Sequence, residues 1–383
     1  MHAPERRPRV PLLVQLLIAT VAGGVTGALV GPRAAWLGQA ALVFIDVLKL
    51  LATPLVFVAI VDTFVTTRVP LRRALVLLPL SALNAVVAAA IAIGLAHALP
   101  LARMVDLPRL RATALPASSS LRHLPSLNLL WVIATALVAG MVLRATARSS
   151  VSQRMVRVAH GGFVALMRLV GVVVRVVPLA VFGVMANVVG GSGLAMFPLL
   201  GIFVVLVALG MLLHLFVWYA IVLKWLARTA PGRFFRLAGD ALATALGAGS
   251  SLATLPVTLR TLEERMGVSS ESARLAAVVG TNLNHDGIVL YEAAAALFVA
   301  QVWGIALPLA SQLKVVGLAI VAAVGIAGVP EAGLVTLSLV IGGVGLPLAA
   351  VPLLLPVDWM LGRLRAMVNV ASDMVVATVL ERA

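Results

Sequence analysis

Apolar residues run in blocks of about twenty, and polar positions fall mostly between the blocks. That is the length an α-helix needs to cross a bilayer. In chain order the pattern predicts spans at about 10–30, 40–64, 74–97, a short one at 128–143, then 163–189 and 195–226. Pro54 and Pro178 lie inside two of them, where proline bends a helix.

The second half of the chain breaks this rhythm. The apolar stretch 234–262 is interrupted by Gly247, Gly249, Ser250, Ser251 and Pro256. The stretch 307–348 is interrupted by Gly325, Gly328, Pro330 and Gly333, then by Gly342, Gly343, Gly345 and Pro347. Each reads as two half-helices around a non-helical tip, a re-entrant hairpin, with a pair of kinked full spans as the alternative. Irregular backbone at membrane depth survives only where protein or a watery cavity covers it, and paired broken segments point to a transporter site. Between the hairpins, the apolar segment 273–302 holds Asn282–Leu283–Asn284–His285–Asp286–Gly287. Asparagine, aspartate and glycine are poor helix formers, and an aspartate at bilayer depth costs at least ~2.5–3.5 kcal/mol. The arrangement predicts a broken helix whose carbonyls and carboxylate hold a cation.

The final span, 351–379, carries Asp358, Arg365, Asn369 and Asp373. At about 100° per residue these four, with Gly362, share one stripe of one helix. An internal ion-pair network is the structural reading; a functional site is the reading that intramembrane charge favours.

The chain has 383 residues, is 62% hydrophobic and 11% charged, which excludes an ordinary soluble globular protein. The net charge of +15 lies mainly in loops. The positive-inside rule then places 67–73, 144–160 and 224–236 in the cytoplasm, and nucleic acid is not an expected partner. The basic residues 1–10 read as the flank of a retained first span rather than a signal peptide. There is no cysteine, hence no disulfide framework or thiolate metal site. No histidine cluster or nucleophile–base pair stands out, so an enzyme is not expected. The glycine-rich run 342–345 is a packing feature, not a phosphate loop.

Four motifs in order, together with a stretch of the second span, carry a resemblance. Ala245–Leu246–Gly247–Ala248–Gly249–Ser250–Ser251–Leu252–Ala253–Thr254–Leu255–Pro256 resembles the serine-rich first-hairpin tip of the dicarboxylate/amino acid:cation symporters, the glutamate transporter family. Asn284–His285–Asp286–Gly287 with Tyr291–Glu292 resembles that family's central motif, and Gly328–Val329–Pro330–Glu331–Ala332–Gly333 its second-hairpin tip. Arg365–Ala366–Met367–Val368–Asn369 with Asp373 is similar to the final-helix motif, and Lys49 to Phe57 to the second span.

The resemblance implies an all-α membrane protein with eight transmembrane helices, two re-entrant helical hairpins and inverted repeats. It implies an elevator-type transporter and a homotrimer, in a cell inner membrane or plasma membrane. Residues 10–64 and 128–189 would form the scaffold, and 74–97 with 195–380 the moving part. Arg365 would pair with a substrate carboxylate, a bidentate role that suits a guanidinium. Ser250 and Ser251 would hold a second carboxylate, with Val329, Pro330, Gly333 and Asn369 completing the substrate site. Asn284, Asp286, Asn369 and Asp373, with a carbonyl near residue 280, would hold sodium through hard oxygen ligands. Gly328 and Glu331 would belong to the gate.

Departures shape the expected chemistry. Gly362 stands where the family's amino-acid transporters have an ammonium-binding aspartate, Leu252 replaces a serine, and Ala366 replaces a polar residue. The span at 74–97 shows Val86–Val87 where a hydroxyl pair is expected. His285 replaces a methionine and is either a hydrogen-bonding residue at the break or a proton carrier. Glu292 is expected as a buried hydrogen-bonding partner, and Asp358 as a partner for Arg365 when no substrate is bound. The reading that results is a sodium-coupled symporter of an acidic solute, a C4-type dicarboxylate, without cofactor. An amino-acid or proton-coupled symporter is the alternative within the class. A divergent uncoupled anion pathway or regulatory membrane protein is the alternative outside it.

Overall fold

The computed structural model of the protein describes residues 12–66, 71–99, 129–146, 149–280, 284–324 and 332–382. Among them the secondary structure is helical, without strands. Helix α1 is Leu12–Val30, α2 Ala35–Thr66, α3 Leu71–Ala98 and α4 Leu129–Ala145. Then come α5 Ser150–Val174, α6 Val177–Ser192, α7 Met196–Leu213 and α8 Tyr219–Trp225. Helices α9 Pro231–Ala248, α10 Ser251–Arg260 and α11 Ser270–Arg274 lead to α12, Asp286–Trp303. The last three are α13 Leu309–Val324, α14 Ala332–Gly343 and α15 Val351–Leu380.

Five helical stretches of the described residues are long and apolar enough to cross a membrane: Val14–Gln39, Leu75–Ala98, Ser150–Val173, Phe197–Trp225 and Asp286–Trp303. Their outer residues fit that setting, since Ile18, Val21, Val25 and Leu29 of α1 all stand exposed. The chain is therefore a multi-pass helical membrane protein.

The expected span at 163–189 is two helices. Helix α5 extends to Val174, and α6 restarts with Pro178 in its first turn. Proline lacks the N–H that would continue the ladder across the junction. The stretch 144–160, expected as a basic segment between spans, is largely the first half of α5. Pro54, by contrast, lies within a continuous α2.

The first interrupted stretch and the central segment are broken as the pattern predicts. Helix α9 ends at Gly249, whose φ of +65° is left-handed and suits a residue without Cβ. Ser250 then caps α10, its Oγ accepting from the Ala253 N–H at 3.3 Å. Helices α13 and α14 flank the second tip, whose residues 325–331 lie outside the described ones. A π-helical segment at Leu275–Val279 precedes the central break, and α12 begins afresh at Asp286.

Two helices form the middle of the molecule. Helix α12 is buried from Asp286 to Ala300, and α15 is buried along most of its length. Helix α3 packs on α12, α9 packs on α15, and α12 and α15 pack on each other. On the other side, α1 lies against α6 at very short range. A Cβ added at Gly23 would run into the Phe182 carbonyl and stand 2.8 Å from Met185 Cβ; one at Gly27 would run into the Ala186 carbonyl. Small residues of this kind let membrane helices touch backbone to backbone.

Candidate functional site

Helix α12 starts inside the protein, so the free N–H groups of its first turn need partners. Gly287 N–H donates to Asn369 Oδ1 of α15 at 2.9 Å. A Cβ on Gly287 would stand 2.7 Å from the Arg365 carbonyl oxygen and 2.9 Å from its Cα. Glycine here is what lets the helix start meet α15. Gly280 plays the same part before the break, where a Cβ would overlap Asp373 Oδ1 and stand 2.6 Å from Asn284 Nδ2.

Around this junction the structure gathers oxygen donors. Asn284 Nδ2 donates to Asp373 Oδ1 at 3.0 Å, and Ser81 Oγ of α3 donates to Asn284 Oδ1. Asp286 Oδ2 accepts from Tyr219 Oη at 2.7 Å and from Ser372 Oγ at 2.7 Å, with His214 Nε2 at 3.4 Å. Asp286 Oδ1 has no hydrogen-bond partner among the described residues. Asn284, Asp286, Asn369 and Asp373 are each at most 4% exposed. Buried carboxylates are ordinarily paired or bound to a metal ion, and Asp286 and Asp373 are buried with no lysine or arginine paired to them among the described residues. The cluster's donors are carboxylates, amides and hydroxyls, a hard-oxygen set. No three His, Cys, Asp or Glu side chains among the described residues converge as a transition-metal centre requires.

Beside this oxygen cluster sits a buried guanidinium. Arg365, 5% exposed, donates through Nη1 and Nη2 to Asp358 Oδ1 and Oδ2 at 2.8 and 3.2 Å. Its Cζ lies 4.2 Å from the centre of the Tyr291 ring, a cation–π contact. Phe203 supports Tyr291 edge-on at 5.9 Å between ring centres. Gly333 at the start of α14 closes over the group: a Cβ there would stand 2.6 Å from Arg365 Cζ. Gly362 faces it from within α15, its would-be Cβ 3.0 Å from Nη2. Glu292 is fully buried next to Tyr291 in α12. The first-hairpin tip joins α15 through Arg363, whose Nη1 donates to the carbonyls of Leu246, at 3.2 Å, and Gly247.

The structure thus brings together Asn284, Asp286, Asn369 and Asp373, with Arg365 and Gly333 adjoining. Ser250 and Ser251 sit at the first tip, reached from α15 by Arg363. His285 is 3% exposed just before α12, and its Nδ1 has no hydrogen-bond partner among the described residues. Asn282, Gly328, Val329, Pro330 and Glu331 lie outside the described residues.

Sequence reasoning looked at Val86–Val87 for the polar face of α3, but Val86 is exposed. The inward polar residues are Ser81 and Asn84, one helical turn apart, and Asn84 Oδ1 accepts from Trp218 Nε1 at 2.8 Å. It also missed His214, Tyr219 and Ser372. A π-helical turn at His214–Trp218 separates α7 from α8, and the His214 and Tyr219 rings meet at 4.6 Å beside Asp286. One signal was present. The chain has only two tyrosines, each within an apolar block, and both reach this site.

Buried carboxylates, carboxamides and a guanidinium gathered around broken helices in a multi-pass helical protein have the construction of a transporter site. The sodium:dicarboxylate symporter family model matches residues 12–383, and the chain belongs to that family. Excitatory amino acid transporter 4 of Mus musculus is 38% identical over 226 residues, 57% of this chain and 39% of the relative. Excitatory amino acid transporter 2 of Homo sapiens is 43% identical over 175 residues, 45% of this chain and 30% of the relative. A putative sodium-dependent excitatory amino acid transporter, glt-4 of Caenorhabditis elegans, is 39% identical over 219 residues, 56% and 44% of the two chains. The match therefore spans less than half the length of these relatives.

Proposed function

We propose that the protein is a sodium-coupled symporter of an acidic amino acid. The observation that carries this is the juxtaposition of two charge-selective centres on one stretch of α15. Arg365 is buried four residues before Asn369 and eight before Asp373, so an anion at the first centre and a cation at the second are separated by only about 6–12 Å along the helix axis. Each offsets the other's burial, which couples their binding. The substrate's distal carboxylate pairs with Arg365. Its α-carboxylate meets Ser250, Ser251 and the N–H groups at the start of α10. Asn284, Asp286, Asn369 and Asp373 take sodium, with the open Oδ1 of Asp286 as one ligand.

The sequence reading put a C4-type dicarboxylate first. The relatives, named as excitatory amino acid transporters, support the amino acid instead. The dicarboxylate remains the second reading on one observation, the glycine at position 362. Proton coupling through His285 is the other variant, and it predicts uptake driven by a proton gradient and lost in His285→Ala.

The wider arrangement belongs to the same proposal. Eight spans and two re-entrant hairpins in inverted repeats form an elevator-type transporter. Residues 10–64 and 128–189 form the scaffold, and 74–97 with 195–380 the moving part, with Gly328 to Gly333 as its lid. The assembly is a homotrimer.

The test is uptake of labelled aspartate and succinate into proteoliposomes under an inward sodium or proton gradient. Sodium-driven aspartate uptake is expected. Concentrative uptake of neither solute under either gradient would sink the reading and leave an uncoupled anion pathway or a regulatory protein.

A further inference from the structure

An acidic amino acid presents three charges, and the site as described answers two of them. Arg365 meets one carboxylate and the first-hairpin tip the other. The α-ammonium needs an acceptor, and Gly362, next to the guanidinium, offers no side chain. Asp286 and Asp373 are engaged with Tyr219, Ser372 and Asn284 in the cation cluster.

Asp358 is in a different position. It lies one helical turn before Gly362 on the same stripe of α15, is 1% exposed, and engages Arg365 with both oxygens. A fork-to-fork pair fills the Nη1–Nη2 edge of the guanidinium, one of the two edges at which a ligand carboxylate binds bidentately. A substrate that binds Arg365 bidentately must therefore displace Asp358 or share the guanidinium with it. Displacement leaves a carboxylate buried without its partner, which is strongly unfavourable unless another cation arrives. An α-ammonium is such a cation, delivered by the same molecule and within a few ångströms of the carboxylate that did the displacing.

We propose that Asp358 is the ammonium-reading residue of this site: substrate and protein exchange partners, the ligand carboxylate taking Arg365 and the freed Asp358 taking the ammonium. The proposal rests on the amino-acid reading above. It gives the buried Arg365–Asp358 pair a second use, because it keeps the empty site neutral and makes the pair's opening conditional on a ligand with both charges. A C4 dicarboxylate can fill the guanidinium but leaves Asp358 buried and uncompensated. Gly362 then does not mark a site that ignores ammonium. It marks one that reads ammonium a turn earlier.

The experiment uses the full chain in proteoliposomes under one sodium gradient, with labelled L-aspartate and succinate. In the unmodified protein, succinate should inhibit aspartate uptake about thirtyfold more weakly than unlabelled aspartate does, the size expected for one buried charge pair. Asp358→Asn should raise the aspartate KM by about thirtyfold or more and leave the succinate KM unchanged or lower. Asp358→Asn combined with Gly362→Asp should recover aspartate over succinate by returning a carboxylate beside Arg365.

A parallel loss of both solutes in Asp358→Asn would make Asp358 a positioning residue for Arg365 and overturn the proposal. If that variant does not fold, the comparison in the unmodified protein decides. Equal inhibition by succinate and aspartate there overturns the proposal while leaving acidic-solute symport standing. Uptake of neither solute by the unmodified protein removes the amino-acid reading, and this proposal with it.

Discussion

Where α1 meets α6, glycines bring two apolar helices into backbone contact. Where α12 meets α15, glycines bring backbone against carboxylate, carboxamide and guanidinium groups. At Gly23 and Gly27 the neighbouring atoms are carbonyls and aliphatic carbons of α6. At Gly280, Gly287 and Gly333 they are Asp373, Asn284, Asn369 and Arg365. Close approach is used for adhesion in the first region and for solvation in the second, where protein dipoles replace the water that buried charges have lost. Charge follows the same division. Residues 1–239 hold 22 Lys and Arg against four Asp and Glu, and the remainder holds seven against ten. Four of those ten acids, Asp286, Glu292, Asp358 and Asp373, are buried. Among the described residues, no Lys, Arg, Asp or Glu of the first region is buried, whereas the second buries Arg365 with those four acids.

The comparison is broken most severely at Arg365. Arg365→Ala leaves Asp358 buried without its partner, a change that typically costs about 3–5 kcal/mol. Transport of acidic solutes should be lost, and the melting temperature of the purified protein should fall. Unchanged uptake would remove Arg365 from the substrate site.

Gly27→Val attacks the other region. The added branches meet the Ala186 carbonyl and the Gly190 N, 2.9 Å from a Cβ at this position. Overpacking of this kind costs about 1–3 kcal/mol. Thermal stability should drop while the sodium dependence and the aspartate-to-succinate preference stay as they were. A changed preference would mean that the two regions are energetically coupled.

Asp373→Asn sharpens the contrast from the polar side. The replacement has the same shape and can keep an oxygen toward Asn284, but it removes a full negative charge from the cation cluster. Half-saturation of uptake by sodium should rise by about tenfold, equivalent to about 1.4 kcal/mol. An unaltered sodium response would place the cation elsewhere.

The two regions also differed in how far they could be read in advance. The broken helices at 247–251 and 280–287 were legible because glycine, serine and asparagine clustered inside an apolar block interrupt the helix that the block would otherwise form. Arg365, Asn369 and Asp373 were legible because charge within a span is costly and their spacing fixes them to one stripe. Ser81, Asn84, His214 and Tyr219 were not, because a single polar residue in a long apolar helix does not reveal which way it faces. Register across helices decides that, and a π-helical turn such as His214–Trp218 shifts it without marking the sequence. The Gly23–Gly27 contact was overlooked for a related reason: two glycines in a span do not name their partner until α6 lies against them. The break between α5 and α6 was read as a bend because proline is compatible with either, and only packing separates them.

The smallest effect expected lies at the end of α15, outside the buried site. Glu381 accepts from Ser269 Oγ at 2.6 Å and from Ser269 N–H at 3.0 Å, tying the C-terminal end of α15 to the start of α11. The Ser269 hydroxyl holds the Glu381 carboxyl below its ordinary value against a smaller opposing effect of burial. A depressed carboxyl contributes stability that is present above the unfolded pKa and is lost as pH falls through the folded one. Stability from this contact should therefore be in place at neutral pH and disappear in the acid range, below about pH 4.5. Glu381 is mostly exposed, so solvent screens the contribution. Glu381→Gln should lower the melting temperature slightly at pH 7 and converge with the unmodified protein at low pH. A difference that persists unchanged into acid would assign the contact to hydrogen-bond geometry rather than charge. Either result leaves substrate preference untouched, because the latch joins α15 to α11 at a distance from Arg365 and Asp358.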